Sequence, residues 1–275
     1  MTVRPGLPKL IATDLDGTLV RSDDTVSAYS HGVLDRVRAA GIPIVGVTGR
    51  GPRLLDLCRH DVPEASFLVL AQGGWVVDLT DPDEPMVLRS ETVPGHQVLG
   101  LIEALEAAVG PLSIMVEALD APGAPLWGEP NVVWRYPEAV VTKSRTEALA
   151  GSVLKTFAHS ETHSTDELLA VARRLVTSDG VAVTQAGLGF IEICPPGVTK
   201  ASGLAVVAGS LGVDPRDVLV FGDMPNDLPM FGWAGWGRVA VGNAHEEILA
   251  IADEVIGVND EDGVARYLDR LLSAR

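Results

Sequence analysis

Two short apolar runs in this chain end in carboxylates, and more than 200 residues separate them. Leu10-Ile11-Ala12-Thr13 leads into Asp14-Leu15-Asp16-Gly17-Thr18-Leu19, and Val218–Phe221 leads into Gly222-Asp223-Met224-Pro225-Asn226-Asp227. Each run is too short for a helix and too uniformly apolar for a half-wet strand, so each reads as a strand buried on both faces. Acidic groups capping a buried strand are costly without a cation. If the two strand ends are neighbours in space, their carboxylates share that need.

The intervening pattern supports such a neighbourhood. Residues from about Ser27 to Ala40 read as a helix with Val33, Leu34, Val37 and Ala40 on one face and Gly41 as its stop. Ile42–Val47 and Phe67–Ala71 read as further buried strands, and strands alternating with helices predict a parallel sheet with right-handed crossovers. The texture changes after the Asp- and Pro-rich stretch from Asp78 to Pro85. A helix from about Gly95 to Val109, with Val98, Leu101, Ile102, Leu105 and Ala108 on one face, then stands among strand candidates. These are Ser113–Ala118, Val132–Tyr136, Val153–Ala158, Val181–Gln185 and Gly189–Cys194. Ser164-Thr-Asp-Glu167 fits a capping box for a second helix burying Leu168, Val171, Ala172 and Leu175. Alternation resumes with a helix from Thr199 to Leu211, a short helix near Asp227–Trp233, the strand Arg238–Val241 and a helix capped by Asn243. The expected fold is an α/β, doubly wound parallel-sheet (Rossmann-like) core, residues 1–89 and 195–275, with an inserted α+β cap, residues 90–194.

Composition bounds the partners. Hydrophobic residues make up 47% and aromatic ones 5%, which suits an aliphatic core between sheet and helices. Lys and Arg number 21 against 37 Asp and Glu, for a net charge of −16. Such a chain lacks the basic footprint that nucleic acid or an anionic membrane requires, and any anionic ligand must be held by a local cation. The first nine residues carry no apolar signal segment and no run approaches a membrane span, so a cytoplasmic protein is expected. Cys58 and Cys194 read as free buried thiols.

The chemistry-bearing residues cluster at predicted strand ends and helix starts. Asp14 and Asp16, two apart on an extended segment, project to one side, and close like charges raise one carboxyl's pKa or demand a cation. An Asp-Gly pair alone is also a common surface turn. Thr48-Gly49-Arg50 offers a hydroxyl and a backbone N–H to phosphate oxygens, or simply a helix cap. Lys200 opens a helix against the favourable direction of the dipole, which suits pairing with phosphate or carboxylate as well as a solvated lysine. Oxygen ligands such as Asp223 suit Mg²⁺.

With these motifs in order, the sequence resembles the haloacid dehalogenase (HAD) superfamily, specifically its Cof-like phosphatases with a large α/β cap. Val241-Gly-Asn-Ala244 and Asn259-Asp-Glu-Asp-Gly-Val264 extend the likeness to the tail. The resemblance implies a Mg²⁺-dependent phosphatase acting on a small phosphorylated metabolite, a sugar phosphate by family habit, through an aspartyl phosphate. It implies Asp14 as nucleophile and metal ligand, and Asp16 as general acid/base with its carbonyl on the metal. Asp223 would complete the metal set. Leu15, Thr48, Gly49, Lys200 and Asn226 would meet phosphate, and Asp227 would anchor Lys200 or a metal-bound water. One departure is visible: Gln72-Gly73-Gly74 stands where an Asn-Gly pair is common. A phosphomutase would run on the same machinery, and a phospho-ligand sensor would share the motifs without turnover.

Other features are weaker. Gly235-Trp-Gly237-Arg-Val-Ala240 resembles a dinucleotide fingerprint but precedes a strand instead of following one. His159 and His163 form an incomplete zinc set. Phe231, Trp233 and Trp236 read as core packing. Trp134, Arg135, Lys143, Arg145 and His159 are candidate substrate contacts within the cap.

Overall fold

The computed structural model describes residues 6–118, 121–130, 140–176, 180–185 and 189–274, and the chain forms two compact units. One comprises Met1–Thr48, Asp56–Arg89 and Thr199–Arg275; the other comprises Gly49–Leu55 and Ser90–Val198. The expected strand Val132–Tyr136, with Trp134 and Arg135, lies outside the described residues.

In chain order the strands begin with β1 (Leu10–Asp14), β2 (Ile44–Val47), β3 (Phe67–Leu70), β4 (Trp75–Asp78) and β5 (Met86–Ser90). There follow β6 (Val93–Pro94), β7 (Leu112–Glu117), β8 (Leu126–Gly128), β9 (Val140–Thr142), β10 (Ser152–Val153), β11 (Lys155–Ser160), β12 (Ala182–Gln185) and β13 (Ile191–Cys194). The series closes with β14 (Val218–Gly222), β15 (Gly237–Ala240) and β16 (Glu254–Val255).

The first unit is built on an eight-stranded sheet ordered β16-β15-β14-β1-β2-β3-β4-β5. From β16 to β3 every neighbouring pair is parallel, whereas β3 and β4 run antiparallel. From β1 the chain winds outward through β2 and β3, and from β14 it winds the other way through β15 and β16. The order therefore reverses between β1 and β14, the place where open α/β sheets present their ligand crevice. The register Thr13↔Phe221 brings the acidic ends of both strands side by side. Leu10, Ala12, Val45, Val47, Val69, Val218 and Val220 pack with Leu204, Val207, Met230 and Phe231 into one buried cluster. Such strand ends are positioned by packing on both faces and have little freedom to shift.

The second unit carries a six-stranded sheet ordered β12-β13-β11-β7-β8-β9, antiparallel except for β8 and β9. Helices Gly95–Val109 and Thr165–Leu175 cover one face, where Leu101, Ile102, Leu105, Leu168 and Leu169 meet Ile114, Val116, Ala158, Ile191 and Ile193. Met115, Leu126, Phe157 and Phe190 form a separate cluster. The fold class is thus an α/β parallel-sheet core with a mixed α+β second unit.

Several local expectations change. Ala40, Ala108 and Leu175 are exposed, because each sits where its helix turns toward solvent, and Leu169 takes the buried place expected of Leu175. His245, not Asn243, caps helix Glu246–Leu249; the Asn243 side chain is occupied by the Gly17 carbonyl and the Asn259 N–H. Both cysteines are buried, and neither is in a disulfide. No helix among the described residues is long and apolar enough to cross a membrane.

Arg145 was expected to be available to substrate, but its side chain is committed to the fold. Its guanidinium donates to both carboxylate oxygens of Glu106, at 2.8 and 3.1 Å, and to the Leu112 carbonyl at 3.0 Å. It also reaches Glu129 at 3.1 and 3.2 Å. Lys143 lies over the Trp127 ring, and His159 bonds the Gly189 carbonyl. Arg145→Ala should lower the unfolding free energy by about 2 kcal/mol in urea denaturation, because charged hydrogen bonds of this kind each contribute about 1.5–3 kcal/mol. Arg145→Lys should recover only part, since a lysine cannot make the bidentate contact.

Candidate active site

The end of β1 turns sharply. The Leu15 carbonyl accepts from the N–H groups of Thr18, Leu19 and Val20, and Gly17 adopts φ +81°. A Cβ on Gly17 would lie 2.5 Å from Asp223 Oδ2, so only glycine permits both the turn and the approach. Thr18 Oγ1 donates to Asp223 Oδ1 at 3.0 Å, and the His245 N–H donates to the Asp223 carbonyl at 2.7 Å. These contacts tie the first motif to the loop after β14.

Lys200 stands between carboxylates. Thr199 caps helix Lys200–Leu211 through a reciprocal bond with Ser202, which fixes the first turn and directs the lysine inward. The ammonium is fully buried; it donates to Asp14 Oδ1 at 2.5 Å and to Asp227 Oδ1 at 2.6 Å. The second oxygen of Asp227 accepts from the backbone N–H groups of Asp223 and Met224, at 2.8 and 3.0 Å. Both Asp227 oxygens are therefore engaged, and its role here is to hold Lys200 and the loop.

Among the described residues, Asp14, Asp223 and Asp227 form the one group with metal-ligand spacing, each offering an oxygen within 4.8 Å of the others. Burial pushes the Asp14 carboxyl up to about 7, against the pull of Lys200. Burial likewise raises Asp223 well above the usual carboxylate range, with Asp14 and Asp227 adding to the effect. For Lys200 burial disfavours the charged form, but Asp14 and Asp227 outweigh it and raise its pKa. Three buried carboxyl groups against one ammonium can ionise together only with further positive charge nearby, and hard oxygens of this kind fit a divalent cation.

The other expected residues lie as follows. Leu15 is wholly buried in the core, so only its backbone N–H is left to meet a ligand. Asp16 is half-buried, and it stands outside the three-carboxylate group. Thr48 is buried at the end of β2, its N–H bonded to the Val69 carbonyl. Gly49 follows it in the chain and belongs to the second unit. Asn226 is buried, with Nδ2 donating to Gln72 Oε1 at 3.2 Å and Oδ1 lacking a hydrogen-bond partner.

Gln72 is the residue that sequence reading left without a role. Ala71 and Gln72 both take positive φ, 49° and 59°, a conformation non-glycine residues adopt at a cost. Gly73 follows at φ +104°, where a Cβ would lie 2.1 Å from the Thr199 carbonyl. Gln72 is thereby held, nearly fully buried, against Asn226. The unusual Gln-Gly-Gly run was the available signal.

A parallel-sheet enzyme with an acidic cluster at its switch point is the class this site defines. The sequence profile of the haloacid dehalogenase-like hydrolases matches residues 11–268; the chain belongs to that family of enzymes. It is 26% identical to the Bacillus subtilis (strain 168) 5-amino-6-(5-phospho-D-ribitylamino)uracil phosphatase YitU, over 97% of this chain and 98% of that protein. It is 28% identical to a phosphoglycolate phosphatase of Methanopyrus kandleri, over 97% and 98% of the two chains. The solved structure of a HAD subclass IIB sugar phosphatase superposes with a TM-score of 0.78 at 21% identity, covering 96% of this chain and 98% of that one.

Gly17→Ala tests the geometry directly. The added methyl must displace the Asp223 carboxylate, so turnover of p-nitrophenyl phosphate should fall about 10²-fold, comparable to losing a preorganised electrostatic group. The backbone cost should be about 1–2 kcal/mol in unfolding free energy, leaving a folded protein by circular dichroism.

Proposed function

We propose that the chain is a Mg²⁺-dependent phosphatase that removes phosphate from a small metabolite, a sugar phosphate or similar compound, through an aspartyl phosphate on Asp14. The observation that carries this reading is the buried Asp14 carboxylate fixed at 2.5 Å from Lys200 at the sheet's switch point. Asp14 Oδ1 is held by that ammonium, and the carboxylate would attack phosphorus. Lys200 offsets charge on both nucleophile and phosphoryl group, and Asp227 keeps it there. Thr48 Oγ1, the N–H groups of Leu15 and Gly49, and Asn226 would receive the phosphate oxygens. Asn226 would meet phosphate through the second hydrogen of Nδ2, the first being donated to Gln72. Its Oδ1, an acceptor without a hydrogen-bond partner, would be left for a donor on the substrate.

Asp14 and Asp223, with the Asp16 carbonyl, would hold Mg²⁺, and the excess of buried carboxylates is the feature of this chain that fits it. The bound ion would neutralise phosphoryl charge and help hold the phosphate in line with Asp14. Asp16, half-buried and outside the acidic group, is the carboxyl proposed to move the proton. It would protonate the leaving alkoxide and then deprotonate the water that cleaves the acyl phosphate.

The Ser90–Cys194 section of the second unit, residues 90–194, is proposed to select the leaving group, because the core motifs address only phosphate and metal. The names of the relatives above, one acting on a phosphoribityl uracil and another on phosphoglycolate, support a small phosphorylated substrate of either kind. A cytoplasmic setting is proposed, because neither Cys58 nor Cys194 is in a disulfide and unpaired cysteines suit a reducing compartment.

Asp16→Asn separates the two carboxylates of the first motif. With an alkyl phosphate the leaving oxygen needs a proton, so the first step should fail. With p-nitrophenyl phosphate the leaving group departs unprotonated, and the variant should release a burst of about one equivalent before a slow phase. Equal loss of both reactions, with no burst and no phosphate trapped on Asp14, would refute the assignment.

The metal site carries its own pH signature. The Asp14 carboxyl lies near 7 in the metal-free fold against an ordinary 3.8. A raised folded pKa stabilises the metal-free protein below the unfolded value, and that stabilisation is lost as pH rises through about 7. Mg²⁺ binding requires the deprotonated carboxylates. Addition of Mg²⁺ should therefore raise Tm more at pH 8 than at pH 5.5, measured against a chelated control. A gain of equal size at both pH values would argue against carboxylate ligation here.

A further inference from the structure

Four ionisable side chains of the second unit are buried: Arg53 at 8% exposure, and Glu117, Lys155 and Glu192 at 1% each. Placing charges out of water costs several kcal/mol per ion. The register of β7 and β11 sets Lys155 opposite Glu117, while Glu192 lies on the adjoining strand β13. The Lys155 ammonium donates to the Gly49 carbonyl. It also lies 3.4 Å from Glu192 Oε2 and 4.4 Å from the centroid of the Phe157 ring. The Glu117 carboxylate rests against Gly51 so closely that a Cβ there would lie 1.7 Å from Oε1, and Arg53 Nε lies 3.8 Å from the same oxygen.

These groups all bear on one segment, Gly49-Arg50-Gly51, which follows directly from Thr48. Glycines at two of its three positions give it wide backbone freedom. The peptide group is planar, and the described chain has no cis bond; an anchored Gly49 carbonyl therefore fixes the Arg50 N–H in the opposite direction. A carbonyl held by a buried ammonium, itself held by a buried carboxylate, is a strong restraint because charge-assisted bonds exceed neutral ones. A Cβ at position 51 is excluded by Glu117, so the second glycine is required by contact.

Resting on the phosphatase reading above, we propose that Lys155 is a positioning residue for phosphate binding: by holding the Gly49 carbonyl it sets the backbone that follows Thr48 in the phosphate loop. Lys155 touches no reacting atom in this role. It acts through Gly49, with Glu192 holding the ammonium at 3.4 Å and Glu117 opposite it in the strand register.

The experiment reads phosphate affinity apart from turnover. Binding of inorganic phosphate to the Mg²⁺-loaded protein is measured by titration calorimetry for wild type, Lys155→Met and Lys155→Arg. Alongside it, KM and kcat are measured with p-nitrophenyl phosphate, whose leaving group offers the second unit little to recognise. Lys155→Met should raise the phosphate Kd and the KM together by about tenfold, with kcat changed less than threefold. Lys155→Arg keeps the charge between Glu117 and Glu192, and so serves if the Met variant does not fold. Its planar fork cannot put one donor on the Gly49 carbonyl in the same way, so its Kd should also rise. A purely structural lysine would lower Tm in either variant without moving the phosphate Kd, and that result would overturn the proposal. Absence of turnover in the wild type would count against the phosphatase reading alone, because phosphate binding is read independently.

Discussion

Everything at this site depends on one arrangement: a fully buried ammonium, Lys200, between Asp14 and Asp227. Removing a charge from water costs several kcal/mol, and only close, well-oriented partners offset that cost. The partners come from the ends of β1 and the loop after β14, so the sheet must bring those strands side by side before the lysine can be buried at all. The capped start of helix Lys200–Leu211 must in turn aim the side chain inward. Register, cap and crossover are thus coupled through a single charge. Asp227 illustrates the economy: one oxygen holds the lysine while the other closes the loop through two backbone N–H groups.

The fold was legible because its signals are local. Buried strands announce themselves as short aliphatic runs, and the acidic pairs follow them without a gap, so the positions of Asp14, Asp16, Asp223 and Asp227 could be read as strand ends. What local signals cannot carry is the choice among partners for a long side chain. Arg145 looked available because its sequence neighbours are polar; three separate segments, around Glu106, Leu112 and Glu129, hold it instead. Asn243 carries a cap residue's chemistry, yet the Gly17 carbonyl and the Asn259 N–H claim its side chain first. Gln72 could be marked as unusual, but its bond to Asn226 depends on positive φ at two consecutive residues, which composition does not reveal.

The two buried lysines sharpen the point. Lys200 could be suspected because it begins a helix, where a positive charge opposes the dipole. Lys155 begins β11, where nothing opposes a lysine, and the sequence singles it out for no role. Only pairing across the sheet, with Glu117 opposite and Glu192 on the next strand, exposes it as a buried charge. The same tertiary information explains why Gly49–Leu55 clusters with the second unit, although in sequence it simply continues from β2.

The net charge of −16 sets the last constraint on any anionic substrate. At physiological ionic strength the Debye length is about 8 Å, so most surface carboxylates contribute little at the site itself. They oppose encounter more than binding. Within the buried crevice screening is weak, and the sign of the local field is decided by a few groups. In the metal-free fold burial holds Asp14 and Asp223 toward their protonated forms, so the cluster takes up its full negative charge only with a cation there to offset it. With Mg²⁺ bound as proposed, substrate and cation would be favoured together, because the ion would supply the positive charge that phosphate needs at the site. Under the proposed reading this linkage makes affinity for phosphate conditional on the metal, which guards an acidic protein's site against occupancy by anions alone.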